Sequence, residues 1–183
     1  MEHLNVLCHI VGLDPLSKKE LINSIDSKIF HTLDLEFLNQ EIFDNTDMRK
    51  LFKQYQEFKK SKNDKYKDID RKMTNFWEKN MLDLIEQNIP SKKKTIIVGY
   101  NNHFRNISKK VNIPTNNRFI IEVTNKSIRN IIKYNLDKNY NDIVKGIYPL
   151  ENIDFNYLLK NKKKISDHYI KSGYLTKTIE QVP

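Results

Sequence analysis

Two short runs limit this fold more than any other feature of the chain: Thr95 to Val98 (TIIV) and Arg118 to Val123 (RFIIEV). TIIV, closed by Gly99, is apolar at consecutive positions, so a strand formed there needs cover on both faces. Strands of that kind belong to parallel sheets with helices packed on each side. Leu4 to Val11 (LNVLCHIV) is a third such run, rich in β-branched residues and ended by Gly12. Lys28 to Leu38 (KIFHTLDLEFL) reads as a further strand running into a turn.

Helical patterns fill the spaces between these runs. Ser17-Lys18-Lys19-Glu20 has the spacing of a capping box, and Leu21, Ile22 and Ile25 follow on one face. Phe43 to Lys60 carries Leu51, Phe52, Tyr55 and Phe58 on one stripe. Ile69 to Ile89 reads as a long helix with Met73, Phe76, Trp77, Met81, Leu84 and Ile85 inward, stopped by Pro90. A short helix is expected over 106–111. Thr124 or Asn125 caps SIRNIIKYNL, whose buried side is Ile128, Ile131, Ile132 and Leu136. Leu158 to Ser172 reads as a lysine-rich helix ended near Gly173.

Strands alternating with helices predict an α/β fold, a three-layer sandwich around a mostly parallel central sheet. The 183 residues are enough for one domain and short of two. Residues 59–68 (KKSKNDKYKD) have no apolar face and read as an exposed, mobile connection. Residues 147–183 read as a weakly defined helical part, with no fifth strand visible after Gly146.

Composition excludes several classes. No apolar run approaches the roughly 20 residues a membrane helix needs. The start, MEHLNVLC, has no basic segment of the kind a signal peptide carries. Cys8 is the only cysteine, so no intramolecular disulfide is possible, and a reducing, cytoplasmic setting is expected. The histidines at 3, 9, 31, 103 and 168 show no metal-ligand spacing, and no zinc site is expected. Cys8 and His9 lie inside the first strand and read as core.

Net charge is +9. That points to an anionic partner: nucleic acid, nucleotide or a charged surface. Genome bias is the competing explanation, since the chain has no alanine and is crowded with Lys, Asn and Ile. Arginine, better suited to bidentate phosphate contacts, supplies only five of the 32 basic residues.

In open α/β sheets ligands bind beyond the carboxyl ends of the strands. Three segments are expected to meet there: Gly12 to Lys19 (GLDPLSKK), Asp34 to Glu36 (DLE) and Gly99 to Arg105 (GYNNHFR). In GLDPLSKK, Gly12 and Lys18 have the spacing of the first glycine and the lysine of a phosphate-binding loop. On those residues the chain resembles the P-loop kinases of the shikimate kinase and adenylate kinase class. The order of elements extends the resemblance over about Leu4 to Leu136. Two positions depart from the motif. Ser17 stands where glycine is wanted, and Lys19 where a magnesium-binding Ser or Thr is wanted.

The resemblance implies a phosphotransferase-like protein that binds ATP or another nucleoside phosphate through Gly12, Ser17, Lys18 and Lys19. It implies roles for Lys18, Asp34 and Arg105 at the reacting end. Asp34 would orient a substrate hydroxyl or a metal-bound water with Glu36 beside it, and these two are the magnesium candidates. Arg105 falls where such kinases place a substrate-binding arginine. The lid arginine they also use would come from the last third, where the chain offers Lys160, Lys162, Lys163 and Lys164. Each residue has a plainer reading. Lys18 is a solvated first-turn lysine, Asp34 and Glu36 are turn carboxylates, Arg105 is half of an ion pair, and Ser17 is a helix cap.

Two other functions stand beside the kinase-like one. A non-catalytic basic module would bind nucleic acid or an acidic protein through lysine faces at 59–67, 92–94 and 160–164. A structural or virion component would bind no ligand, and the composition is similar to that of proteins of large DNA viruses.

Overall fold

The computed structural model describes residues 4–12, 14–99, 107–129 and 155–181. In chain order the elements are β1 (Val6–Val11), α1 (Pro15–Ser24), β2 (Phe30–Asp34), α2 (Leu35–Asp44), α3 (Thr46–Lys60), α4 (Tyr66–Asn88) and β3 (Lys94–Gly99). There follow α5 (Ile107–Lys110), β4 (Arg118–Ile121), a helical stretch α6 over 125–129, α7 (Phe155–Lys171) and β5 (Leu175–Lys177).

All five strands run parallel, in the order β2-β3-β1-β4-β5. Val11 is paired with both Gly99 and Ile120, so β1 is flanked on both sides. That explains its apolar run. Cys8 and Ile10 face one side with Ile96, Val98, Phe119 and Ile121, and Leu21 and Ile25 of α1 cover them. Ile97 and Leu33 face the other side beneath Leu35, Leu38 and Ile42 of α2, Met81 and Ile85 of α4, and Ile107 of α5. On that same side Tyr169 of α7 closes over Val11 and Ile120. The α/β three-layer architecture read from the sequence is present. Fully burying a side chain such as Ile97 or Met81 contributes about 1.5–3 kcal/mol.

Several boundaries differ from the sequence reading. The first helix is capped by Asp14, not Ser17. The Asp14 side chain accepts from the Ser17 amide, and Pro15 occupies the first turn, where a missing N–H costs nothing. The expected strand over 28–38 stops at Asp34, whose carboxylate caps α2 by accepting from Glu36 N. The single helix expected over 43–60 is two, because Asn45 is extended and its side chain caps α3. Met48 anchors α3 in the core, while Phe52 is 43% exposed. On α4, Met81 and Ile85 are buried as expected; Met73, Phe76, Trp77 and Leu84 pack half-buried against them. Trp77 Nε1 donates to Asn39 Oδ1 at 2.6 Å.

Of the connection expected over 59–68, 59–60 end α3 and 66–68 begin α4, leaving the exposed residues 61–65 as a hydrogen-bonded bend in which Asn63 N donates to Phe58 O. α7 ends at Gly173, whose φ of +89° favours glycine. The chain then returns as β5, the fifth strand that was not visible in the sequence. Among the described residues β5 pairs only with β4, and two of its three residues (LTK) are polar, so it lacks the continuous apolar signature of the inner strands. Among the described residues no helix is long and apolar enough to cross a membrane.

Candidate functional site

The strand order creates a switch point at β1. From β1 the chain leaves toward β2; from β3 it crosses over β1 to reach β4. Right-handed connections that leave in opposite directions place their helices on opposite faces. α1 does lie on one face and α2, α4 and α5 on the other. Between such diverging connections a crevice opens at the carboxyl ends of the strands. At the carboxyl edge beside that point stand Gly12 and Asp14 to Ser17 after β1, and Asp34 and Glu36 at the end of β2.

Lys18, in the first turns of α1, reaches across to the second strand. Its ammonium donates to both carboxylate oxygens of Asp34, at 2.9 and 2.7 Å, and lies 3.4 Å from Glu36 Oε2. The Lys18 and Glu36 side chains are only 12% and 14% exposed, and that of Asp34 is 30%. Two of the three convergent segments therefore meet as expected. Of the third, Gly99 accepts the Gly12 amide at 2.9 Å. Arg105 lies outside the described residues, as do 100–106 as a whole.

The bend between β1 and α1 is tight. Ser17 N donates to Asp14 Oδ1 at 2.8 Å and Ser17 Oγ to Asp14 Oδ2 at 2.6 Å. Lys18 N donates to the Asp14 carbonyl at 3.1 Å. Asp14 is 1% exposed. A buried carboxylate thus occupies the positive end of the α1 dipole, where an incoming anion would otherwise be stabilised. A methyl group added at Gly12 would rest 3.6 Å from Lys18 N, so the two backbones face each other across one methyl's width. Lys19 is exposed on the solvent side of α1.

Sequence reasoning passed over one participant, Asp14, and did not single out another, Lys162. Asp14 was legible as the residue before a proline at a helix start. Lys162 is one of four lysines, with Lys160, Lys163 and Lys164, that the sequence offers in place of a lid arginine, and nothing in the sequence picks it out. α7 runs from the carboxyl edge of the sheet back to its amino edge, because Gly173 leads directly into β5. Tyr169 sits over Val11, and Lys162 lies about two turns earlier on the same stripe, roughly 10 Å nearer the carboxyl edge. Burial lowers its pKa, opposed by the Asp14 carboxylate. The site is therefore a mixed cluster: two ammonium groups, Lys18 and Lys162, among three carboxylates, Asp14, Asp34 and Glu36.

Below the crevice a second polar cluster is sealed. His9 is fully buried, and its Nδ1 lies 2.8 Å from the Tyr174 hydroxyl, which donates to Ser108 Oγ at 2.8 Å. With that donation the ring carries its proton on Nδ1. Burial, reinforced by the nearby Arg118 guanidinium, lowers the His9 pKa to about 3. Burial likewise pushes Tyr174 and Cys8 up to about 12 each. His9 and Cys8 are core groups, as their place in β1 predicts, and neither is poised for proton transfer near neutral pH.

No group of three or more His, Cys, Asp or Glu among the described residues is arranged to hold a metal ion. No protein-family model matches the chain, and no curated protein or solved structure is significantly similar to it.

Proposed function

We propose that this chain is a P-loop kinase-like protein whose phosphate loop has been rebuilt, and that it binds a nucleoside phosphate at the crevice bordered by residues 12–19. The observation that carries this reading is the placement of Lys18. It projects from the first turns of the helix that follows the central strand, at the topological switch point, with its ammonium held part-buried at the carboxyl edge. Lys162 adds a second cation on that side. Phosphate would compete with Asp34 and Glu36 for Lys18, so affinity is weaker than an open cradle of backbone amides would give.

The residues do not fit a resident magnesium ion. Position 19, where a hydroxyl ligand belongs, is Lys19. Asp34 and Glu36, the remaining candidates, are already bridged by the Lys18 ammonium. The reading is therefore of binding, with Asp34 and Glu36 as the groups that hold and release Lys18, and no phosphoryl-transfer step is assigned. Calorimetry with ATP, with and without magnesium, on wild type and Lys18→Ala tests it. The expected result is a binding heat in wild type that disappears in the variant. Equal heats for both proteins, or none for either, would refute it.

A second reading has one specific observation behind it. The α3–α4 hairpin exposes Lys59, Lys60, Lys62, Lys65 and Lys67 around its bend, and Lys92 and Lys93 before β3 and Lys94 at its start are exposed too. Nucleic acid or an acidic protein held there would show steep loss of affinity with salt. Salt-independent binding would count against that role.

A further inference from the structure

On α3 only Met48 joins the core over the sheet, and on α4 that core begins at Met73. Between them, residues 49–72 form a two-helix arm with a seam of its own. Ile69 is buried apart from the core clusters, and the Tyr55 and Tyr66 rings meet edge to face at 6.1 Å. The arm points to the carboxyl side of the sheet. α4 ends at Asn88 and β3 begins at Lys94, so the C-terminus of α4 lies at the amino edge. Trp77 Nε1 donates to Asn39, which stands in the second turn of α2, the helix that starts where β2 ends. Trp77 is therefore fixed near the carboxyl edge. Tyr66 to Phe76 carry α4 about 16 Å further the same way.

Charge is concentrated on this arm. Residues 49–72 hold ten Lys and Arg against four Asp and Glu, which is +6 of the chain's net +9. A compositional bias toward lysine would spread the excess along the chain; here one segment holds two thirds of it. Lys59, Lys60, Lys62 and Lys65, grouped at the bend, make no ion pair among the described residues. Phe52 is exposed on the same arm.

We infer that the arm is a docking surface for single-stranded nucleic acid, and that the phosphate reaching Lys18 is the terminal phosphate of that strand. This rests on the reading of the crevice as an anion site. A nucleic acid carries a charge at every nucleotide whatever its sequence, which suits lysines dispersed around a bend, and its bases can stack on an exposed ring such as Phe52. Protein carboxylates are met best by the planar fork of arginine. The arm has only Arg49 and Arg71, and Arg49 is already paired with Asp44. The arm and the crevice lie on the same side of the sheet, so one strand can engage both.

The test is fluorescence anisotropy with a single strand of about twelve nucleotides, with and without a phosphate on its unlabelled end, beside calorimetry with ATP. Wild type should bind the phosphorylated strand roughly three- to tenfold more tightly. Lys18→Ala should remove that difference and leave the unphosphorylated strand bound as before. Changing Lys59, Lys60, Lys62 and Lys65 together to Gln should weaken both strands about tenfold or more. It should also reduce the slope of log affinity against log salt by up to about three. The thermal midpoint and ATP binding of that variant should stay unchanged, which separates lost docking from lost folding. An arm variant that binds the strands as wild type does would overturn the inference. So would polyglutamate displacing the strand as well as unlabelled strand does, or equal affinity of wild type for the two strands. ATP bound through Lys18 without strand discrimination sinks this inference and leaves the nucleoside phosphate reading standing. Discrimination through Lys18 without an ATP heat supports it and removes the nucleoside phosphate.

Discussion

Replacing Asp14 with alanine should weaken the fold and open the crevice at once. The Asp14 carboxylate accepts two hydrogen bonds, from Ser17 N at 2.8 Å and Ser17 Oγ at 2.6 Å, and it is 1% exposed. Loss of an N-cap costs about 1–2 kcal/mol. Leaving a buried hydroxyl without its charged partner adds about 1–2 kcal/mol. Against this, Asp14 is itself a buried carboxylate, and removing it recovers part of its desolvation. The net expectation is a loss of about 2 kcal/mol, read as a lower urea midpoint with an unchanged slope. Asp14→Asn keeps a capping acceptor and should lose less than about 1 kcal/mol. The same alanine variant frees the Ser17 amide and removes the negative charge from the α1 dipole. ATP, or inorganic phosphate as the simpler probe, should then bind more tightly than to wild type. An alanine variant as stable as wild type would refute the capping assignment. A destabilised variant with unchanged anion affinity would refute the idea that Asp14 occupies the anion's place.

Three further outcomes are expected. In a double-mutant cycle of Lys18→Met and Asp34→Asn, the coupling should be about 1 kcal/mol, below a fully buried pair because Asp34 is 30% exposed; additive urea midpoints would show the pair contributes nothing. His9 is held neutral with its pKa lowered to about 3, against about 6.5 when unfolded. The unfolded chain therefore binds the extra proton first as pH falls. The stability due to His9 is fully present above about pH 6.5 and is lost progressively toward pH 3, with a slope approaching ~1.4 kcal/mol per pH unit. Urea midpoints for wild type and His9→Phe should diverge in that window, and parallel curves would contradict it. Gly173→Ala should cost about 1–2 kcal/mol, because φ of +89° is strained for any residue with a Cβ and the added methyl would sit 3.4 Å from Thr115 Cγ2; an unchanged thermal midpoint would show that the turn relaxes freely.

The inner strands were readable because burial on two faces leaves an apolar run with no polar alternation, as in Thr95 to Val98. β5 was not, because an edge strand with exposed Leu175 and Thr176 carries no such mark. The helix before it was readable over 158–172 as a lysine-rich stretch ended by Gly173, but its inward residues, Ile165 and Tyr169, were not singled out. The start of α1 offered two cap signals three residues apart. Ser17 with Glu20 matched a motif, yet Asp14 followed by Pro15 prevailed, because proline fixes the backbone angle a helix begins with. The break at Asn45 replaced what the apolar stripe suggested was one helix, since periodicity is blind to a single extended residue. In the site, Lys18 and Asp34 could be brought together in advance because both follow strand ends, and strand ends converge in a parallel sheet. That the two would bond each other was not legible, since a charge pair leaves no local pattern. The same holds for His9 and Tyr174, which meet across nearly the whole sequence.

The position of β1 has a consequence for how the chain comes off the ribosome. β1 is the central strand, and both of its neighbours lie far behind it in sequence. Val6 waits for Thr95, and His9 waits for Arg118. Until residues 94–121 have been made, LCHIV has no ladder to join. What is available early is the local helical hairpin of α3 and α4. Sheet assembly is then a late, long-range closure, of the kind that folds slowly and exposes sticky segments while it waits. Ribosome-bound chains ending before β3 should accordingly show helical signal and bind chaperones through the β1 segment.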